Sequence, residues 1–236
     1  MTEPETCYTI WFSQRVGSTW LAEALASTGV AGRPREAFLA PQDRDATVLE
    51  RVYLDGTTPN GVFGIKQGFS EPNFSDLLAW LAQGRPAPSR VAAWERVFPN
   101  HRHVFLTRRN KVRQAVSWWR AIQTGEWHRR RGAFPMTAAE DGYSFEAIDQ
   151  LLSEAVLREA GIQEMFAEAG VTPLTLTYED MAADLPGTVA QVLAFLGREG
   201  SAPIETTSAP TADRITETWV ERFRTAKQAG WRNRGW

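Results

Sequence analysis

The chain has 236 residues, 43% of them hydrophobic and 23% charged, with a formal net charge of −2. That is ordinary for a globular protein with a real core, and the near balance of charge gives no bulk attraction to nucleic acid. The single cysteine, Cys7, excludes an intrachain disulfide and a cysteine-built zinc site. No apolar run approaches the ~18 residues of a membrane helix, and the polar first residues do not read as a signal peptide, so the expected location is cytoplasmic.

The first predicted strand, 7–13, passes through Ser13-Gln-Arg15-Val-Gly17-Ser18-Thr19 into a helix over 18–28. A strand that feeds a helix through such a turn aims backbone N–H groups and the positive helix end at one point, which suits a phosphate. Gly17 permits close backbone approach, Ser18 and Thr19 add hydroxyls, and Arg15 adds a permanent charge with a planar fork of donors. The turn lacks the second glycine and the lysine of an ATP or GTP loop, and the three glycines of a dinucleotide fingerprint.

Further strands are expected at 62–66, ending in Lys66, at 103–107 and at 172–177. Each is short and apolar without strict alternation, as for strands covered on both faces. Helical patterns lie between and after them, at 73–83, 110–126, 145–169, 185–197 and 214–228. The stretches 84–90, 131–143 and 199–213 are rich in Gly, Pro, Ser or Thr and read as the flexible ones. The alternation predicts an α/β fold: a single P-loop-like domain over 1–236, with a mostly parallel sheet flanked by helices. Right-handed crossovers then bring the 13–19 loop, the segment after Ile65, the Thr107–Arg109 turn and Tyr178–Glu179 to one edge, where such sheets bind ligands.

A second anion site is expected where strand 103–107 ends. Arg109 stands at the start of the next helix, Asn110 can cap it, and Ser117 follows eight residues after Arg109. A guanidinium and a hydroxyl can grip one phosphate together. Residues 101–131 are rich in Lys and Arg with a single acid, Glu126, which also suits a small, highly charged anion.

The Ser13–Thr19 turn with Arg109 and Ser117 at this spacing resembles the sulfotransferases that use 3′-phosphoadenosine 5′-phosphosulfate (PAPS). Four more stretches are similar to the bacterial Stf0-type subfamily, whose best-known member sulfates trehalose. These are Gly29-Val-Ala-Gly-Arg33-Pro-Arg-Glu36-Ala-Phe38, Gln114-Ala-Val-Ser117 with Gln123-Thr-Gly-Glu-Trp127-His128, Tyr178-Glu-Asp180 before Leu193-Ala-Phe-Leu-Gly197, and Thr216-Glu-Thr-Trp219-Val-Glu-Arg222-Phe223. Val16 departs from the pattern, because the family usually has serine there.

The resemblance implies a PAPS co-substrate and no metal. Arg15, Gly17, Ser18 and Thr19 would hold the 5′-phosphosulfate, and Arg109 and Ser117 the 3′-phosphate. Glu36 would be the general base, while Arg15 would also meet the charge that develops on the leaving phosphate. Lys66, Trp127, His128 and Phe38 are candidates for the acceptor pocket. The acceptor would be a small alcohol or phenol, such as a sugar, and the resemblance points to a homodimer, to which Trp231 and Trp236 add aromatic surface. Two rivals are a P-loop-type small-molecule kinase, which would need a loop lysine and an Mg²⁺-holding acid, and a non-catalytic nucleotide-binding module, in which loss of Glu36 would change nothing. His101, His103 and His128 are not spaced as a metal site.

Overall fold

The computed structural model describes residues 4–38, 47–130, 132, 142–199, 204–209 and 214–232, and these form two compact units. The first comprises 1–109 and 158–207; the second comprises 110–157 and 208–236.

The first unit is built on four parallel strands, β1 (Thr6–Phe12), β2 (Val62–Gly68), β3 (His101–Thr107) and β5 (Leu174–Thr177), in the order β2-β1-β3-β5. The register pairs Phe12 with Gly68 and with Leu106, and Thr107 with Thr177, so all four strand ends reach the same edge. The apolar residues do not alternate with polar ones because both faces are covered. Cys7, Trp11, Phe63, Ile65 and Phe105 belong to one buried cluster, with Phe74 and Leu77 of α3 (Asn73–Ala82) and Trp94 of α4 (Arg90–Val97). Met165 and Phe166, from the latter part of α6 (Phe145–Ala169), join it.

Tyr8, Ile10, Phe12, Val104 and Leu106 face the other way, against Leu21 and Leu25 of α1 (Ser18–Ser27). Met181 of α7 (Tyr178–Ala183) and Val192 of α8 (Leu185–Phe195) complete that layer. Each fully buried large side chain contributes roughly 1.5–3 kcal/mol against exposure. The result is a helix–sheet–helix sandwich, the α/β architecture expected.

Three helices were not legible in the sequence. α2 (Val48–Gly56) buries Val48 and Val52, four residues apart, against the first cluster. α4 starts in what reads as flexible sequence: Ser89 is its N-cap and accepts from the Ala92 N–H at 3.1 Å. A serine in a Pro/Gly-rich stretch is as good a helix signal as a turn signal, and here the cap prevails. α7 is a turn and a half capped by Thr177. Most of 131–143, half of 199–213, and Trp236 lie outside the described residues.

The second unit packs α5 (Lys111–Thr124), the first half of α6 and α9 (Arg214–Lys227) around Val112, Val116, Ile148, Trp219 and Phe223. Asn110 caps α5 through the Arg113 N–H at 3.0 Å, and Gly125 ends it at φ 71°. A two-residue antiparallel pair joins β4 (Arg129–Arg130) to β6 (Ser208–Ala209). Among the described residues, no helix is long and apolar enough to cross a membrane.

Candidate active site

The loop between β1 and α1 leaves the strand-end edge of the sheet. Arg15 is in the left-handed region at φ 66°, and Gly17, the N-cap of α1, is at φ 83°. As the N-cap, Gly17 offers α1 no capping side chain, and the start of a helix favours an anion. Gly17 is needed for a reason the sequence did not reveal. A Cβ there would lie 2.8 Å from Met181 Cε and 2.9 Å from Tyr178 Cδ2, because α7 forms a wall directly against the loop.

Glu36 reaches this loop through the edge of the sheet. Residues 32–36 run beside β2: Arg35 bridges to Ile65, and the Lys66 N–H donates to the Arg35 carbonyl at 3.1 Å. Gly32 permits that approach, since a Cβ on it would stand 2.5 Å from the Gly64 nitrogen. Arg33 closes the C-terminal end of α2, donating to the Leu54, Asp55 and Thr57 carbonyls.

The stretch is therefore pinned rather than loose, and its glutamate is held in place. Lys66, only 6% exposed, donates from Nζ to Thr19 Oγ1 at 2.9 Å and pairs with Glu36 Oε2 at 3.1 Å. Three segments far apart in sequence thus meet in one polar chain, Thr19–Lys66–Glu36. A cavity of about 370 Å³ beside it is lined by Arg33, Arg35, Glu36, Ala37, Arg51 and Asp55, among others.

At the ends of β3 and β5, Arg109 makes a forked ion pair with Asp180, Nη1 to Oδ1 at 2.8 Å, and its backbone N–H donates to Glu179 at 3.0 Å. The hydrogen bond that Arg109 donates to Asp180 raises the arginine's pKa, while Arg109 and then Thr177 hold the Asp180 carboxyl below its ordinary range. Both groups are exposed, so the pair adds little to stability. Sequence reading placed Arg109 correctly at the edge and missed its partner, 71 residues away.

Ser117 lies on α5 in the second unit; Trp127 and His128 follow that helix in the same unit and are both exposed. Phe38 is buried instead, at 6% exposure, and packs on Trp80 and Trp94. Val16 is fully buried in the second cluster. His101 and His103 sit at the opposite, starting end of β3, away from the strand-end edge. Trp231 is exposed. Among the described residues no group of three or more His, Cys, Asp or Glu could hold a metal ion.

Comparison with known proteins gives the chain its family. The model of the Stf0 sulphotransferase family covers residues 7–49 and 42–226, so the match takes in most of both units. The trehalose 2-sulfotransferase of Mycolicibacterium smegmatis is 30% identical over 262 aligned positions, covering 95% of this chain and 96% of that protein. The trehalose 2-sulfotransferase of Mycobacterium tuberculosis is 30% identical over 252 positions, covering 92% and 94%. Among solved structures, a sulfotransferase from Alicyclobacillus acidocaldarius superposes with a TM-score of 0.53 at 15% identity, over 94% of this chain and 92% of that one. At that identity the likeness concerns the fold.

Proposed function

The chain belongs to the Stf0 sulphotransferase family and is a PAPS-dependent sulfotransferase; on that premise, we propose that it moves the sulfuryl group to a hydroxyl of a small-molecule acceptor, a sugar such as trehalose, with Glu36 as general base. The observation that carries this reading is the Thr19–Lys66–Glu36 chain, which sets a carboxylate within two contacts of the donor loop.

Sulfuryl transfer is an in-line displacement governed by positioning and charge. The loop N–H groups, Ser18, Thr19 and Arg15 are suited to hold the 5′-phosphosulfate, and Arg15 to meet the charge that grows on the leaving phosphate. An alcohol is a poor nucleophile until its proton begins to leave, and Glu36 would take it. Lys66 balances the carboxylate and adds a cation beside the loop. The cavity next to Glu36 suits an acceptor of sugar size and offers arginines and acids to its hydroxyls. For the 3′-phosphate the reading keeps Arg109. Arg109 would exchange the Asp180 carboxylate for phosphate, a swap of one anion for another in the same fork.

Calorimetry tests the donor. Adenosine 3′,5′-bisphosphate should bind the unmodified protein more tightly than AMP by about one to two orders of magnitude, the equivalent of one charge-assisted contact. Arg109→Ala should erase most of that preference. Sulfur-labelled donor with a panel of sugars and phenols then identifies the acceptor. Equal binding of the two nucleotides would overturn the donor assignment, and preference for ATP with Mg²⁺ would favour the kinase reading.

A further inference from the structure

The last residue of strand β3 and the one after it are both tied to the donor loop through buried charges. Thr107 Oγ1 donates to Glu159 Oε2 at 2.7 Å, and Ser13 Oγ donates to Glu159 Oε1 at 2.8 Å. One carboxylate on α6 thus ties the last residue of β3 to the first residue of the loop after β1. The next residue, Arg108, donates from Nη1 to the Arg15 carbonyl at 3.2 Å, and its guanidinium lies over the Tyr178 ring at 4.4 Å. Tyr178, with Met181, is a side chain against which Gly17 packs. The loop is therefore held at Ser13, Arg15 and Gly17 from three sides.

Two facts separate this from ordinary core packing. Glu159 and Arg108 are 5% and 6% exposed, and burying a charge costs free energy that an apolar residue of similar size avoids. Arg15 is also in the left-handed region, which a non-glycine residue occupies only when its surroundings impose it. The bond from Arg108 to the Arg15 carbonyl is such an imposition. We propose that Glu159 and Arg108 are positioning residues for the donor loop: they fix its backbone so that Arg15 and the first turn of α1 present their donors to the 5′-phosphosulfate in one preformed arrangement. The inference rests on the reading of residues 13–19 as the donor site.

The test uses Glu159→Gln, which keeps the shape but cannot accept both hydroxyl protons, and Arg108→Lys, which keeps the charge but loses the fork. Each should lower the affinity for adenosine 3′,5′-bisphosphate, and raise KM for the donor, by about tenfold, while KM for the acceptor moves by less than about twofold. Thr107 supplies a milder pair should either variant fail to fold. Thr107→Val should weaken donor binding, and Thr107→Ser, which restores the hydroxyl, should rescue it. A lower melting temperature with unchanged donor affinity would make these residues struts of the fold and overturn the inference. Absence of adenosine 3′,5′-bisphosphate binding in the unmodified protein would instead overturn the donor reading beneath it.

Discussion

Acid should destabilise the first unit through two histidines in its core. Trp11 Nε1 donates to His103 Nδ1 at 3.0 Å, so the His103 proton is on Nε2, facing Glu95 Oε1 at 3.1 Å. His101 Nδ1 faces the Phe98 carbonyl at 3.2 Å and must carry the proton there; its Nε2 then accepts from the Thr9 hydroxyl at 2.8 Å, while the Thr9 oxygen accepts from Trp94. The bond from Trp11 fixes the His103 ring neutral, and the two rings stand with centroids 4.7 Å apart. A second proton on His103 would set two N–H groups against each other. Burial, and then the neighbouring His103, holds His101 well below 6.5, against a smaller opposing pull from the Phe98 carbonyl. Burial likewise lowers His103, with Glu95 opposing.

The unfolded chain takes up these protons near pH 6.5 and the native state only at lower pH, so stability is full above pH 6.5 and falls as pH drops below it. Each excluded proton steepens the loss by up to about 1.4 kcal/mol per pH unit, and two by up to about 2.7, against a total stability of roughly 5–15 kcal/mol. Denaturant midpoints followed by tryptophan fluorescence from pH 8 to 5 should show the decline beginning near 6.5. The Asp180 carboxyl, held low by Arg109 and Thr177, acts in the same direction but only below the ordinary carboxylate range, outside this window. Flat stability between pH 6.5 and 5, or a slope that survives replacement of both histidines by Asn, would refute the argument.

Glu36→Gln should leave donor affinity within about threefold and cut turnover by roughly 10²–10⁴, the range for losing a general base. Near-normal turnover would move the base elsewhere, with His128 examined first. Arg15→Ala should weaken donor binding and slow the chemical step together, because that charge acts before and during transfer; a change in only one of the two constants would contradict its dual role. Gly17→Ala meets both the left-handed backbone and the 2.8 Å approach to Met181, and should cost about 1–3 kcal/mol of stability along with donor affinity. Wild-type melting and binding in that variant would show that α7 gives way freely.

What could be read from the sequence was whatever a single segment carries whole. The strand, turn and helix of residues 7–28 sit side by side in the chain, so the loop and its chemistry were visible together. The covered sheet was visible too, because Cys7 and Trp11 serve one cluster while Tyr8, Ile10 and Phe12 serve the other, leaving no polar alternation to mislead. Pairings between segments were not visible. Lys66 stood out only as a cation at a strand end, and nothing local says that it meets Thr19 and Glu36. Glu159 was one acid among many on a 25-residue helix, where a carboxylate reads as solvated surface; only the packing of α6 shows that it is buried with two hydroxyls.

The distinction has a physical basis. A parallel sheet forces its strand ends to one edge, so connectivity alone predicts which loops become neighbours. Which atoms then touch depends on sub-ångström packing, such as the approach of Gly32 to the Gly64 nitrogen that lets residues 32–36 lie against β2. Glu36 beside Lys66 is therefore a property of the edge of the sheet as much as of the Gly-Arg-Pro-Arg-Glu stretch. A bulkier residue at Gly32 should displace the proposed base without touching any group that takes part in the chemistry.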